Sequence, residues 1–208
     1  MNTFSIGDAV GYGWRGFWKN IGPLILIAIV VFAVNVVVSL LAAAFDNAAL
    51  QIIVRFIGWL IGLLISLGWI RVALKITAGE RPEIANLFEF DGFPVYIGAS
   101  IVFSIAFAVG LVLCIIPGII VYLIWGFYGY VIADRGEGAT FSEAFSRSAE
   151  ITKGNRGQLF LFGIVLFLIN IVGLLLCGIG VLFTSGISIV AIAYVYRTLS
   201  GEPVAEIV

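Results

Sequence analysis

The sequence predicts an all-α fold: a polytopic membrane helical bundle of six transmembrane helices, built as three hairpin repeats with amphipathic helices at the cytoplasmic interface. Three observations carry that expectation. Hydrophobic residues make up 62% of the 208 positions and charged residues 11%, against roughly 45–50% and about 25% in soluble domains. A domain of this size folded in water still exposes much of its surface and cannot hide so much apolar area. The apolar residues also fall into six runs, each near the ~20 residues that cross ~30 Å of hydrocarbon. Finally, ten of the eleven Lys and Arg residues lie on one side of those runs.

The runs cover roughly 21–45, 50–74, 94–115, 117–134, 158–177 and 179–198. Before the first, Val10, Trp14, Phe17 and Trp18 form an apolar stripe bordered by Arg15 and Lys19. The first run exceeds the ~7–15 residues of a signal-peptide core, so it reads as a retained span. In the second, Gly58 and Gly62 make a G-x-x-x-G, which permits close helix approach. The connection that follows holds Glu83, Glu89 and Asp91, the densest carboxylate group, read as a solvated loop face rather than a cation site.

The third and fourth runs meet at "CIIPG". There Pro117 and Gly118 mark a hairpin tip, since proline opens a helix without losing a needed N–H. The fourth run reads as one continuous helix. After it, Thr140 and Glu143 form a Thr-x-x-Glu capping box. Phe141, Ala144, Phe145 and Ser148 then share one face, with Arg147, Glu150 and Lys153 elsewhere, as expected of a helix lying in the interface. The fifth and sixth runs meet at "CGIG".

Short connections alternate with long ones, and the basic residues gather with the long ones and both termini. Arg55 alone lies toward the other side, where it is expected to snorkel to the outer interface beside Asp46, with anion recognition as the alternative. The positive-inside rule therefore places both termini in the cytoplasm of a multi-pass protein of the cell membrane. Gly-Glu pairs follow three spans, at 79–80, 136–137 and 201–202. "NVVVSLLA" (35–42), "FAVGLVLC" (107–114) and "NIVGLLLC" (170–177) align without gaps. Residues 1–208 are thus expected to form a single domain of three related units, 1–79, 80–136 and 137–208.

The segment "IIPGIIVYLIWGFYGYVIADRGEGATFSEAFSRSAEITKGN" resembles the signature region of a bacterial and archaeal six-span membrane-domain family of unknown function. Similar domains precede the catalytic part of some glycerophosphoryl diester phosphodiesterases. The matching positions are Pro117, Gly118, Gly136, Ala144, Ser148, Thr152, Lys153 and Gly154. The resemblance implies a six-span domain and brings no activity with it.

Chemistry is sparse. The chain has no histidine and a net charge of −1, which removes the usual general base and any broad basic field for nucleic acid. No nucleophile–base set or phosphate-binding glycine loop appears; no enzyme activity, metal or cofactor is expected. Polar groups within spans are functional hypotheses by default. Asn35 and Asn170 align in the repeat, and either bond neighbouring helices or line an interior cavity. Tyr122 and Trp125 are deep aromatics that could face the same cavity. Phe141, Phe145, Arg147 and Lys153 could instead dock a partner. Cys114 and Cys177 occupy equivalent tips, where a disulfide or two reduced thiols are both open. The expected function is a non-enzymatic membrane component, a scaffold or lipid binder whose partners are membrane lipids and another membrane or cytoplasmic protein. The alternative is a transporter of a lipid or other hydrophobic small molecule.

Overall fold

The computed structural model describes residues 3–175 and 179–207. They form nine α-helices and two 3-10 turns, with no strand among them. Helix α1 (Ile6–Lys19) starts where the Ser5 hydroxyl accepts from the Asp8 amide at 3.3 Å. It stops at Asn20, whose N–H returns to the Gly16 and Phe17 carbonyls, and the chain enters α2 (Ile21–Ala43). Helix α3 (Ala48–Ala78) is capped by the Asn47 side chain, which accepts from the Ala49 amide at 2.8 Å. At its far end Gly79 adopts φ 82°, letting the Glu80 amide reach the Lys75 carbonyl at 2.9 Å. A 3-10 turn, Ile84–Phe88, leads to α4 (Phe93–Leu113), α5 (Ile115–Trp125) and α6 (Tyr128–Arg135). A second turn, Gly136–Gly138, precedes α7 (Phe141–Ile151), α8 (Arg156–Leu175) and α9 (Ile179–Ser200). Six stretches are long and apolar enough to cross a membrane: α2, α3, α4, the α5–α6 segment, α8 and α9.

The fourth run differs from its expected form. It breaks at Gly126–Phe127 into α5 and α6. The orphaned backbone groups are taken up by α7: the Ser148 hydroxyl donates to the Ile124 carbonyl at 2.9 Å and accepts from the Phe127 amide at 3.2 Å. The Thr152 hydroxyl bonds the Ser148 carbonyl one turn back at 2.9 Å. Ser148 and Thr152 are fully buried. Two of the residues that carry the family resemblance thus support a helix break that hydropathy alone does not reveal.

The paired helices approach closely at glycines. A Cβ added at Gly58 would lie 2.4 Å from Val38 Cγ1, one at Gly110 would lie 2.8 Å from the Gly118 nitrogen, and one at Gly173 would lie 3.0 Å from the Gly180 oxygen. Pro117 and Gly118 stand in the first turn of α5, at the hairpin tip. Gly62 differs from Gly58, since a Cβ there meets nothing within 4 Å.

Helix α1 lies along α9 by the same device. A Cβ at Gly13 would sit 2.6 Å from the Ile187 oxygen, and one at Gly186 would sit 2.7 Å from the Phe17 ring. The buried face of α1 is therefore Ala9, Tyr12, Gly13, Gly16 and Phe17, while Trp14 and Trp18 point outward. Gly13 and Gly16 set the approach, since a Cβ at either would lie under 3.0 Å from α9, and Tyr12 and Phe17 are buried beside them.

Packing is uneven along the bundle. Buried residues of α3 run from Leu64 to Thr77, and the preceding residues from Ala48 onward contribute none. At the end holding both termini, α1, α3, α6, α7 and α9 interlock. At the other end the hairpins splay and present Phe32, Ile52, Val112 and Phe167 outward.

Candidate functional site

The splaying of the α2–α3 hairpin away from α9 leaves a groove of about 760 Å³. Its walls are mostly apolar, with Phe32, Trp59, Leu63 and Trp69 among them. A polar set runs through it: Asn35, Ser39, Arg55, Ser66 and Ser185. Asn35 donates one amide hydrogen to the Val31 carbonyl at 2.8 Å, and Ser39 donates to the Asn35 carbonyl at 2.7 Å. Ser66 bonds the Tyr96 hydroxyl at 3.1 Å and Ser185 returns to its own helix at Leu182. Arg55 is exposed and makes no hydrogen bond or ion pair with any described residue, Asp46 included. Among the described residues, no carboxylate lines the groove.

The other polar and aromatic positions singled out in the sequence are dispersed. Asn170 bonds across helices, donating to the Ser188 hydroxyl at 2.9 Å while also reaching the Leu166 carbonyl; Asn35 sits instead in the groove. Tyr122 borders a separate apolar cavity of about 60 Å³ between α5, α8 and α9, and its ring lies 6.4 Å from that of Phe103. Trp125 meets Phe145 with ring centroids 4.9 Å apart. Phe145 also stacks on Tyr128 at 5.7 Å and touches Phe141 at 5.1 Å. The apolar side of α7 is thereby turned into an aromatic seam with α5 and α6. Arg147 pairs with Glu150 at 2.9 Å and Lys153 is exposed. Thr140 caps the Glu143 amide at 3.3 Å, while the Glu143 carboxylate goes to Arg135 at 3.0 Å. Cys114 is exposed at the α4–α5 turn. Cys177 lies outside the described residues.

A charged pocket of about 310 Å³ occupies the end with the termini. Arg71, buried on α3, donates to the carbonyls of Glu89 and Asp91 and lies 3.7 Å from the Glu89 carboxylate, which Lys75 approaches at 3.6 Å. The Glu83–Asp91 segment is therefore latched to α3 rather than solvated throughout, a contact that needs the loop to fold back across 18 residues. On the far side Tyr196 donates to Asp134 at 3.3 Å, and Arg197 bonds the Pro203 carbonyl at 2.8 Å and faces Glu202 at 3.7 Å. Burial and the adjacent Asp134 carboxylate push Glu202 above the usual carboxylate range. Among the described residues, no three His, Cys, Asp or Glu side chains converge as a metal site would need. Arg71, Lys75, Glu89, Asp134 and Arg197 in this pocket hold the tail, the loop and the helices together, whereas the groove contains a cation with no partner among the described residues. Sequence reading placed Arg55 near Asp46; the open wall beside it depends on α9 standing away from α2, which no local pattern signals.

The chain matches, over residues 47–206, the family described as a domain of unknown function (DUF7847), and it belongs to that family. It is also similar to the uncharacterized protein Rv2560 of Mycobacterium tuberculosis (strain ATCC 25618 / H37Rv). The two are 25% identical across 99% of this chain and 71% of that protein. The uncharacterized protein Mb2590 of Mycobacterium bovis (strain ATCC BAA-935 / AF2122/97) is similar to the same degree and over the same shares. No solved structure matches.

Proposed function

We propose that this member of the family is a multi-pass membrane component that binds a lipid in the groove between α2, α3 and α9, without chemical conversion of it. The observation that carries the reading is the groove: about 760 Å³ of largely apolar wall, opened by splayed helices, with Asn35, Ser39 and Arg55 forming a polar string toward the α2–α3 turn. Water gains little there, and an empty space of that size forfeits the dispersion contacts of every lining group. An acyl chain supplies those contacts, and the polar string suits a headgroup or its ester linkage.

The orientation proposed with it puts both termini in the cytoplasm of the cell membrane, supported by the distribution of Lys and Arg. A threefold internal repeat is supported by two series. Gly79, Gly136 and Gly201 all adopt positive φ at the ends of α3, α6 and α9. The close crossings at Val38, Gly110 and Gly173 fall on positions that align in sequence. Helices α1 and α7 would lie at the cytoplasmic boundary as struts. A scaffold that recruits partners through α7 has weaker support, because Phe145 is engaged within the bundle.

A photoactivatable phospholipid with a diazirine in its acyl chain tests this reading. Irradiated in proteoliposomes, it should label α2, α3 and the start of α9 above the level of the other outward helices. Even labelling of all six spans would refute a defined groove.

A further inference from the structure

We infer that the groove selects a glycerophospholipid with a net negative headgroup, its phosphate held by Arg55 with Asn35 as a second donor. The inference rests on the lipid reading above and adds the headgroup class. Arg55 lies seven positions after Ala48, the start of α3, about 10 Å along the helix at ~1.5 Å per residue. A guanidinium does not deprotonate in proteins, and an uncompensated charge at membrane depth is costly. It needs an anion, and neither the described residues around it nor the groove lining offers one. A phosphodiester matches the guanidinium fork with two parallel hydrogen bonds. The side chain can extend toward the interface to meet it.

Asn35 stands at a matching level, eight positions before Ala43, the end of α2. Its bond to the Val31 carbonyl uses one amide hydrogen, and the other is left to donate. The groove thus presents cationic and neutral donors without a carboxylate, a charge balance that a net negative lipid neutralises and a zwitterionic lipid does not. Asp46 belongs to the turn above and is not part of the lining.

The test is native mass spectrometry of the full chain in detergent, titrated with phosphatidylglycerol, phosphatidylethanolamine and phosphatidylcholine of identical acyl chains. Wild-type protein should retain phosphatidylglycerol with roughly tenfold preference over phosphatidylcholine, the scale of one charge-assisted contact. Arg55→Gln should bring the ratio close to one while lipid binding persists, and Arg55→Lys should keep part of the preference. Because Arg55 bonds none of the described residues, these variants should melt with the wild type, which a thermal scan verifies. Equal retention of the three lipids by wild type, a preference for phosphatidylethanolamine, or a preference unchanged in Arg55→Gln would overturn the headgroup inference and leave the lipid reading standing. Retention of no lipid would overturn both.

Discussion

The hydroxyl of Ser148 lies 2.9 Å from the carbonyl oxygen of Ile124, and the same hydroxyl accepts from the Phe127 amide at 3.2 Å. One side chain of α7 therefore completes the backbone of a broken span between α5 and α6. Ser148→Ala strands the buried Phe127 amide and leaves the Ile124 carbonyl only the Thr152 hydroxyl at 3.5 Å, a loss of about 1–3 kcal/mol. Thermal unfolding in detergent should show a clearly lowered midpoint, and a midpoint equal to wild type would contradict this role for α7.

The two glycines of the G-x-x-x-G should behave differently. Gly58→Val drives its side chain into Val38 and should destabilise the α2–α3 hairpin by about 1–3 kcal/mol. Gly62→Leu meets open space within the groove. It should melt like wild type yet retain less lipid. Equal destabilisation by both substitutions would show that the groove wall is packed rather than open.

Arg71→Met removes the anchor of the loop that joins α3 to α4 and leaves the Glu89 and Asp91 carbonyls without their donor, while the Glu89 carboxylate keeps Lys75 and Asn86. A cost of about 1–3 kcal/mol is expected. Glutamyl endopeptidase should cut after the exposed Glu83 faster than in wild type, because a released loop enters the protease more often. Unchanged cleavage would mean that the loop is held by other contacts.

Burial, then Asp134, holds the Glu202 carboxyl above its ordinary range. The folded state thus binds a proton more readily than the unfolded chain. The associated stability is complete below the unfolded carboxylate pKa and is lost as pH rises through the folded value. Melting curves from mildly acid to neutral pH should show wild type losing ground to Glu202→Gln as pH increases. A difference between the two that does not vary with pH would remove Glu202 from the account.

Much of the architecture is readable one residue at a time. Run length places the spans, Gly79 and Gly201 end helices because they tolerate positive φ, and Thr140 marks a helix start. The features that matter most for function are pairwise. The break at Gly126 becomes visible only with Ser148 beside it, 22 positions later. Trp14 and Phe17 look alike as apolar residues, but the closeness of α9 buries one and exposes the other. The groove arises from the angle between a hairpin and a helix more than 100 residues away, so Arg55 reads in sequence as a snorkelling charge and in the fold as a cation on an open lipid-sized cleft.

If the groove holds a lipid, native mass spectrometry of the full chain extracted gently from its own membrane will detect it. A phospholipid should be retained at fixed stoichiometry and be lost when Gly62→Leu fills the groove. A wild-type protein that flies bare, or a lipid load that Gly62→Leu leaves unchanged, would contradict a lipid-binding groove.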